Sequence, residues 1–333
     1  MACVRAAGVA AAYLGLTLGF VAGPVSDVSA QSDPVTPGYT LGPDGEWRLV
    51  TGPDEGTAAG ELAAAARLIA EGKPGKAKDE LDDWIGARKR SDDPLLPRAY
   101  LLRGDAKLAD GDEYQALYDY EIVIKDFPNS EEFVRAIERE SEIALAYLDG
   151  MKRKFLGLRI ESGRRVGEEL LIRVQERLPG STLAEDSAFR LARHYFDRGE
   201  MRLAAEMYSI FRINFESSPR VREALLGQIF SNVAAFKGPE YDGAVLLEAE
   251  LLLDRYVRRY PAAAERDAVI SGLGERLDES RAQGRLEAAR WYLRTGSERA
   301  ARFTLRRVIR EHPRSASATE AAALLATLAE DEK

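Results

Sequence analysis

The chain is poor in the residues that most often carry chemistry. It has one cysteine, Cys3, and two histidines, His194 and His312. A single thiol forms no intrachain disulfide, and two distant histidines with no cysteine beside them do not make a zinc site. No cofactor or metal is therefore expected. The glycine signatures of nucleotide loops and the nucleophile elbow of hydrolases are also missing. Gly272-Leu273-Gly274 lacks the strand and spacing such a loop needs and reads as an interruption in a helix. Asp79, Glu80, Asp82 and Asp83 read as a solvated helix face. With no histidine–nucleophile pair to assemble, the chain does not read as an enzyme.

Long apolar runs are confined to the start. Arg5 precedes an apolar stretch from Ala6 to Ala22, Gly23-Pro24 breaks it, and Val28-Ser29-Ala30 offers small residues for cleavage before Gln31. Residues 1–30 are thus expected to be an export signal, placing the rest in the periplasm. Cys3 precedes the apolar stretch, whereas a lipoprotein cysteine follows it, so no lipid anchor is evident. Beyond residue 31 charge interrupts every apolar run, and no spanning helix is expected there. A surplus of positive charge is lacking too. The 47 Lys and Arg are interspersed with 55 Asp and Glu, so nucleic acid is not an expected partner. His312, just before Pro313, reads as a cation at a helix C-terminus.

What is present is helix-forming sequence with regular punctuation. Residues 31–57, dense in Pro, Gly, Asp and Thr, read as a linker or arm. They hold one short strand around Trp47, which is expected to pack on the first helices. Residues 58–329 read as one helical domain and 330–333 as an acidic tail. Helices are expected over 58–70, 74–87, 98–109, 113–125, 131–147, 163–177, 183–197, 202–214, 221–236, 246–260, 267–293 (broken near Gly284), 298–311 and 317–329.

One spacing recurs four times: Gly72, Ala77, Leu81; Gly111, Ala116, Tyr120; Gly199, Ala204, Tyr208; and Gly296, Ala301, Leu305. The glycine suits a left-handed residue where one helix ends and the chain reverses. The alanine suits a close helix crossing, and the Tyr or Leu fills the space between hairpins. Pro128 and Pro313 end the second helix of their units. This is the tetratricopeptide pattern, fullest in Tyr100, Gly104, Gly111, Ala116, Tyr120 and Pro128. The expected fold is an all-α solenoid of about five to six helical hairpins with a closing helix, its third, fifth and sixth units lengthened.

A narrower resemblance lies in the middle of the chain. Lys154-Phe155-Leu156-Gly157, Val166-Gly167-Glu168-Glu169-Leu170, Phe189-Arg190-Leu191-Ala192 and Phe236-Lys237-Gly238-Pro239-Glu240-Tyr241-Asp242 resemble the outer-membrane assembly lipoprotein BamD and its relatives. That resemblance implies a non-catalytic periplasmic scaffold holding β-barrel assembly subunits or other envelope proteins, and reaching the outer membrane through those partners. The missing lipobox cysteine keeps open a soluble periplasmic scaffold comparable to the tetratricopeptide partner of the Tol–Pal system.

Two candidate partner surfaces follow. The inner face of the first helices, at fixed offsets from the turn glycine, gives Arg98, Leu101, Asp105 and Leu108 in one unit and Asp186, Phe189, Arg193 and Phe196 in another. Mixed aromatic and ionic groups in a groove suit an extended peptide or a partner helix. The second candidate is a long loop from Lys152 carrying Phe155, Leu156 and Leu158, because exposed apolar residues in a long loop are rarely idle.

Overall fold

The computed structural model describes residues 39–41, 47–49, 54, 56–155, 158–238 and 243–330. The expected export signal, the packing of Trp47 and residues 331–333 of the tail lie outside the described residues.

Successive helices pair as hairpins: α1 (Ala58–Ala70) with α2 (Pro74–Arg88), α3 (Leu96–Ala109) with α4 (Glu113–Asp126), and α5 (Glu132–Leu148) with α6 (Arg164–Arg177). The series continues with α7 (Thr182–Asp197) and α8 (Met201–Asn214), then α9 (Val221–Ala235) and α10 (Ala244–Arg259). A short α11 (Pro261–Arg266) precedes α12 (Ala268–Arg294), which pairs with α13 (Glu298–Glu311), and α14 (Ala316–Glu330) closes the stack. Each helix packs on the next, while α1, α3, α5, α7 and α9 also pack in series as one layer. The fold is the expected all-α solenoid.

The punctuation explains the turns. Gly72, Gly111, Gly199 and Gly296 adopt φ of 73, 72, 75 and 74°, where a side chain would be strained. Each begins a Schellman turn. At Gly111 its own N–H donates to Leu108 O, and the N–H of Asp112 donates to Lys107 O, satisfying carbonyls at the helix end. Gly150, at φ 104°, makes the same turn through Met151 and Ala146.

The second helices end alike as well. Phe127, Leu178, Phe215, Tyr260 and His312 each cap at φ between −128 and −133° and ψ between 52 and 55°. Prolines follow four of them, and a residue before proline is driven out of helical geometry. Counted back from these caps, the repeat is fuller than the glycines reveal. Eleven residues before lie Ala116, Gly167, Ala204, Ala249 and Ala301; seven before lie Tyr120, Leu171, Tyr208, Leu253 and Leu305. All ten are buried, the small ones where helices cross and the large ones between hairpins. The fit is close: a Cβ on Gly104 would lie 2.4 Å from the Tyr120 ring.

Four features differ from expectation. Helix α12 runs unbroken for 27 residues through Gly272, Gly274 and Gly284, because its first part packs on α10 and α11 while its second part is the sixth hairpin. A short helix, α11, starts at Pro261, whose fixed φ suits a first helical turn. The strand β2 (Trp47–Leu49) has an antiparallel partner, β1 (Tyr39–Leu41), that was not expected. The long loop after α5 is a β-hairpin, β3 (Lys152–Phe155) paired with β4 (Leu158–Ser162), with a register shift between Arg153 and Lys154.

Candidate protein-interaction surface

The offsets that predicted a groove instead hold the layer of first helices together. Leu101 is buried among Tyr120, Ile137 and Tyr147, and half-buried Leu108 packs against the same cluster. Buried Asp105 accepts from the Tyr120 hydroxyl at 2.8 Å and from Arg139 Nε, on α5, at 3.0 Å. Burial raises its pKa despite the arginine. Phe189 is 7% exposed and meets Phe211 and Tyr208 edge to face, at ring separations of 5.2 and 6.0 Å. Half-buried Phe196 packs on the same cluster. Leu101, Asp105 and Phe189 are thus interior, because each first helix is covered by its neighbour in the layer.

The remaining three stay at the surface. Arg98 is half-buried in the first turn of α3. Asp186 accepts from Arg220 Nη1 at 2.7 Å, and Arg193 pairs with Asp197 at 3.6 Å and Glu223 at 3.8 Å. Arg220 and Glu223 belong to the next hairpin, so these pairs also staple neighbours, with the small stability expected of partly exposed ions.

The histidines are structural. His312, 2% exposed, places Nδ1 2.6 Å from Asp278 and Nε2 2.6 Å from Arg285. It fills the cap position that Phe127 or Tyr260 fills elsewhere. His194 is half-buried, with Nε2 3.5 Å from Glu168. Among the described residues no group of acidic, histidine or cysteine side chains could hold a metal ion, and no helix is long and apolar enough to cross a membrane.

The surface that stands out is the β3–β4 hairpin and the cleft beside it. The cleft, about 400 Å³, lies between α4 and α6 and is lined by Tyr114, Leu117, Tyr118, Val166 and Leu170. At its floor Glu140, 1% exposed, accepts from Arg177 Nη1 at 2.5 Å, while Glu121 accepts from Nη2 at 2.6 Å. Burial pushes Glu140 up to about 7, outweighing the arginine. Burial also works against Glu121, but hydrogen bonds from Lys125 and Arg177 hold its carboxyl below the ordinary value.

The hairpin borders the cleft. Arg153 stacks 4.0 Å above the Tyr114 ring. Arg159 donates to buried Glu113, to Gly111 O at 3.2 Å and to Lys152 O at 3.0 Å. Its hydrogen bonds to Glu113 raise the Arg159 pKa above its ordinary value, against the burial that would lower it. One side of β4 is thereby fixed to the α3–α4 turn. Leu158 on β4 is 64% exposed, and Ile160, the extra residue of a bulge opposite the Arg153–Lys154 step, is 59% exposed. The Phe155 side chain and Leu156 lie outside the described residues. Ile160 was not singled out from the sequence; it is the extra residue of a bulge opposite the Arg153–Lys154 step, so no simple alternation marks it.

A tetratricopeptide repeat family model matches residues 98–130 and 283–315. The first segment is α3 with α4, and the second is the latter part of α12 with α13. Among solved structures, the chain is similar to the C-terminal part of a TPR repeat-containing protein from Cytophaga hutchinsonii, at 11% identity over 80% of this chain and 88% of that one, TM-score 0.36. It is also similar to PilW, a widely conserved type IV pilus biogenesis factor, at 13% identity over 80% of this chain and 99% of that one, TM-score 0.30. No curated protein matches the chain.

Proposed function

We propose that the chain is an exported, non-catalytic scaffold that holds protein partners at the bacterial envelope, in the manner of BamD in outer-membrane β-barrel assembly. The observation that carries the binding role is the hairpin and cleft: a rigid stack presents exposed apolar side chains beside ionised groups. Tetratricopeptide segments such as 98–130 and 283–315 serve protein–protein contact as a class. The envelope setting rests on the sequence of residues 1–30 and on the BamD-like stretches, two of which fall in the hairpin and in α6. A second reading, a soluble periplasmic scaffold comparable to the Tol–Pal partner, is favoured by the position of Cys3 ahead of the apolar stretch.

The test is affinity capture from gently solubilised envelopes of the native host, with recovered proteins identified by mass spectrometry. Enrichment of β-barrel assembly subunits supports the first reading. Tol–Pal components support the second. Recovery of neither set, from a bait that is folded and exported, removes both.

A further inference from the structure

We propose that the groove between α8 and α10 takes an amphipathic helix of a partner protein, apolar at one end and acidic at the other. This deepens the scaffold reading and rests on it, and it gives the scaffold a further surface on the side of the second helices. Three features converge there.

The first is uncompensated positive charge. Arg212, in the last turn of α8, is half-buried and donates to the side-chain oxygen of buried Gln228, on α9. Among the described residues it makes no ion pair, and neither do Arg255 and Arg259 on α10. A helix C-terminus favours a cation by itself, but other second helices add carboxylates there: Lys125 meets Glu121, Arg177 meets Glu140, and Arg310 meets Glu311. Burial and the like charges of Arg255 and Arg259 lower the Arg212 pKa, while Glu248 opposes them without reaching ion-pair distance. Guanidinium groups thus converge from two helices with no carboxylate paired to any of them.

The second is the floor of the groove. Thirteen residues after the cap of the preceding second helix stand Glu140 in α5 and Gln228 in α9. Beside α4 that place carries a carboxylate, which neutralises Arg177. Beside α8 it carries a neutral amide, which holds Arg212 in place and leaves its charge for a ligand. A guanidinium fork matches a carboxylate in a bidentate pair.

The third is the rim. Leu247, Leu251, Arg255 and Arg259 follow one another at four-residue steps along α10, so they form one row about 18 Å long, leucines first and arginines last. Leu247 is 45% and Leu251 56% exposed, and Ile213, next to Arg212 on α8, is 67% exposed. Side chains a turn apart beside a groove suit a docked helix, and their order selects the occupant. Acidic residues at one end of a partner helix meet the arginines while apolar residues at its other end cover the leucines. A second copy of α10 is a poor match: laid parallel, arginine meets arginine, and laid antiparallel, arginine meets leucine.

The probe is a fluorescein-labelled helical peptide with glutamates in its first two turns and leucines in its last two, titrated against the full chain by fluorescence anisotropy. Glutamates favour the start of a helix, and this order lets the peptide lie antiparallel to α10 with glutamate beside arginine. Saturable binding is expected. Arg255→Glu combined with Arg259→Glu should weaken it about tenfold or more with an unchanged far-ultraviolet circular dichroism spectrum, and so should Leu251→Asp. The same peptide with serine for every leucine should bind about tenfold more weakly, since charge alone then remains. The proposal is overturned if the wild-type chain does not bind the probe, if the serine peptide binds as tightly, or if either variant binds like the wild type. Capture of the chain by vesicles containing phosphatidylglycerol, lost in the double variant and without peptide binding, assigns the arginines to lipid headgroups and overturns it. Sedimentation that instead shows dimers which the double variant dissociates assigns the groove to a second copy and also overturns it. Envelope capture reads a separate property: assembly subunits recovered equally by wild type and the double variant would leave the scaffold reading standing and remove only this inference.

Discussion

The second and third hairpins begin alike and then part. Both first helices end in a Schellman turn on a left-handed glycine, Gly111 or Gly150. After Gly111 the chain enters α4 at once, and the small residue five positions on is Ala116. After Gly150 that place falls to Phe155, in β3, and α6 starts only at Arg164. Gly167 and Leu171 then take the positions of Ala116 and Tyr120, each twelve residues late, and Pro179 trails Gly150 by twelve more residues than Pro128 trails Gly111. Core register survives the insertion because the extra chain is extruded where it costs little in closure entropy. Among large apolar side chains the intact hairpin exposes Tyr118, while the interrupted one exposes Val134 and Ile172 on its helices and Leu158 and Ile160 on its insert.

The contrast can be broken most forcibly in the core. Tyr120 is fully buried and donates to buried Asp105, so Tyr120→Ala should cost about 3–5 kcal/mol in urea unfolding. Leu158→Ala, on the displayed strand, should change stability by less than about 0.5 kcal/mol. Equal effects from the two would mean that the hairpin is part of the core.

A smaller effect separates the units by pH. Glu140 belongs to the third unit, and burial raises its pKa to about 7 from 4.5. Between these values the folded chain keeps a proton that the unfolded chain releases, so stability falls as pH rises through the window and is fully present below it. The upper bound is about 3 kcal/mol. Asp105, also raised by burial, adds a slope of the same sign. Glu140→Gln should flatten the slope of denaturation midpoint against pH between 5 and 7, in ~0.5-unit steps; an unchanged slope would place the ionised form in the fold.

How much of this was legible follows from the kind of signal each feature leaves. Helix ends were readable because glycine and proline act locally: Ala58–Ala70 and Glu298–Glu311 fall where punctuation put them. The break near Gly284 was misplaced because a helical glycine costs only about 1 kcal/mol relative to alanine, and packing of α12 against α10, α13 and α14 overrides that. The β3–β4 hairpin was hidden because Ile160, the extra residue of a bulge in β4, breaks the alternation that would mark that strand. At the candidate groove, offsets located Leu101 and Phe189 on the correct layer but could not say that neighbouring first helices would bury them.

The two glycines sharpen the comparison further. Neither Gly111 nor Gly150 is crowded by anything but flexible side-chain ends, so alanine at either site meets backbone strain alone. Gly111→Ala and Gly150→Ala should each cost about 1–2 kcal/mol, and the same amount. A much smaller cost at Gly150 would show that its turn is not set by the repeat.

The most direct test restores the third unit to the second. Deleting Met151–Ser162 joins Gly150 to Gly163 and returns Gly167 to five residues after the turn glycine. The deletion also strips Arg159 from buried Glu113, and a buried carboxylate without its cation is strongly destabilising. Glu113→Gln in the same variant removes that charge. The shortened chain should then unfold cooperatively within about 1 kcal/mol of the parent, since what it loses is mostly exposed. Gly163 would supply the N–H that Met151 gives to Ala146 O. Loss of cooperative unfolding would mean that the hairpin braces α4 against α6, making the third unit a separate design rather than an interrupted copy of the second.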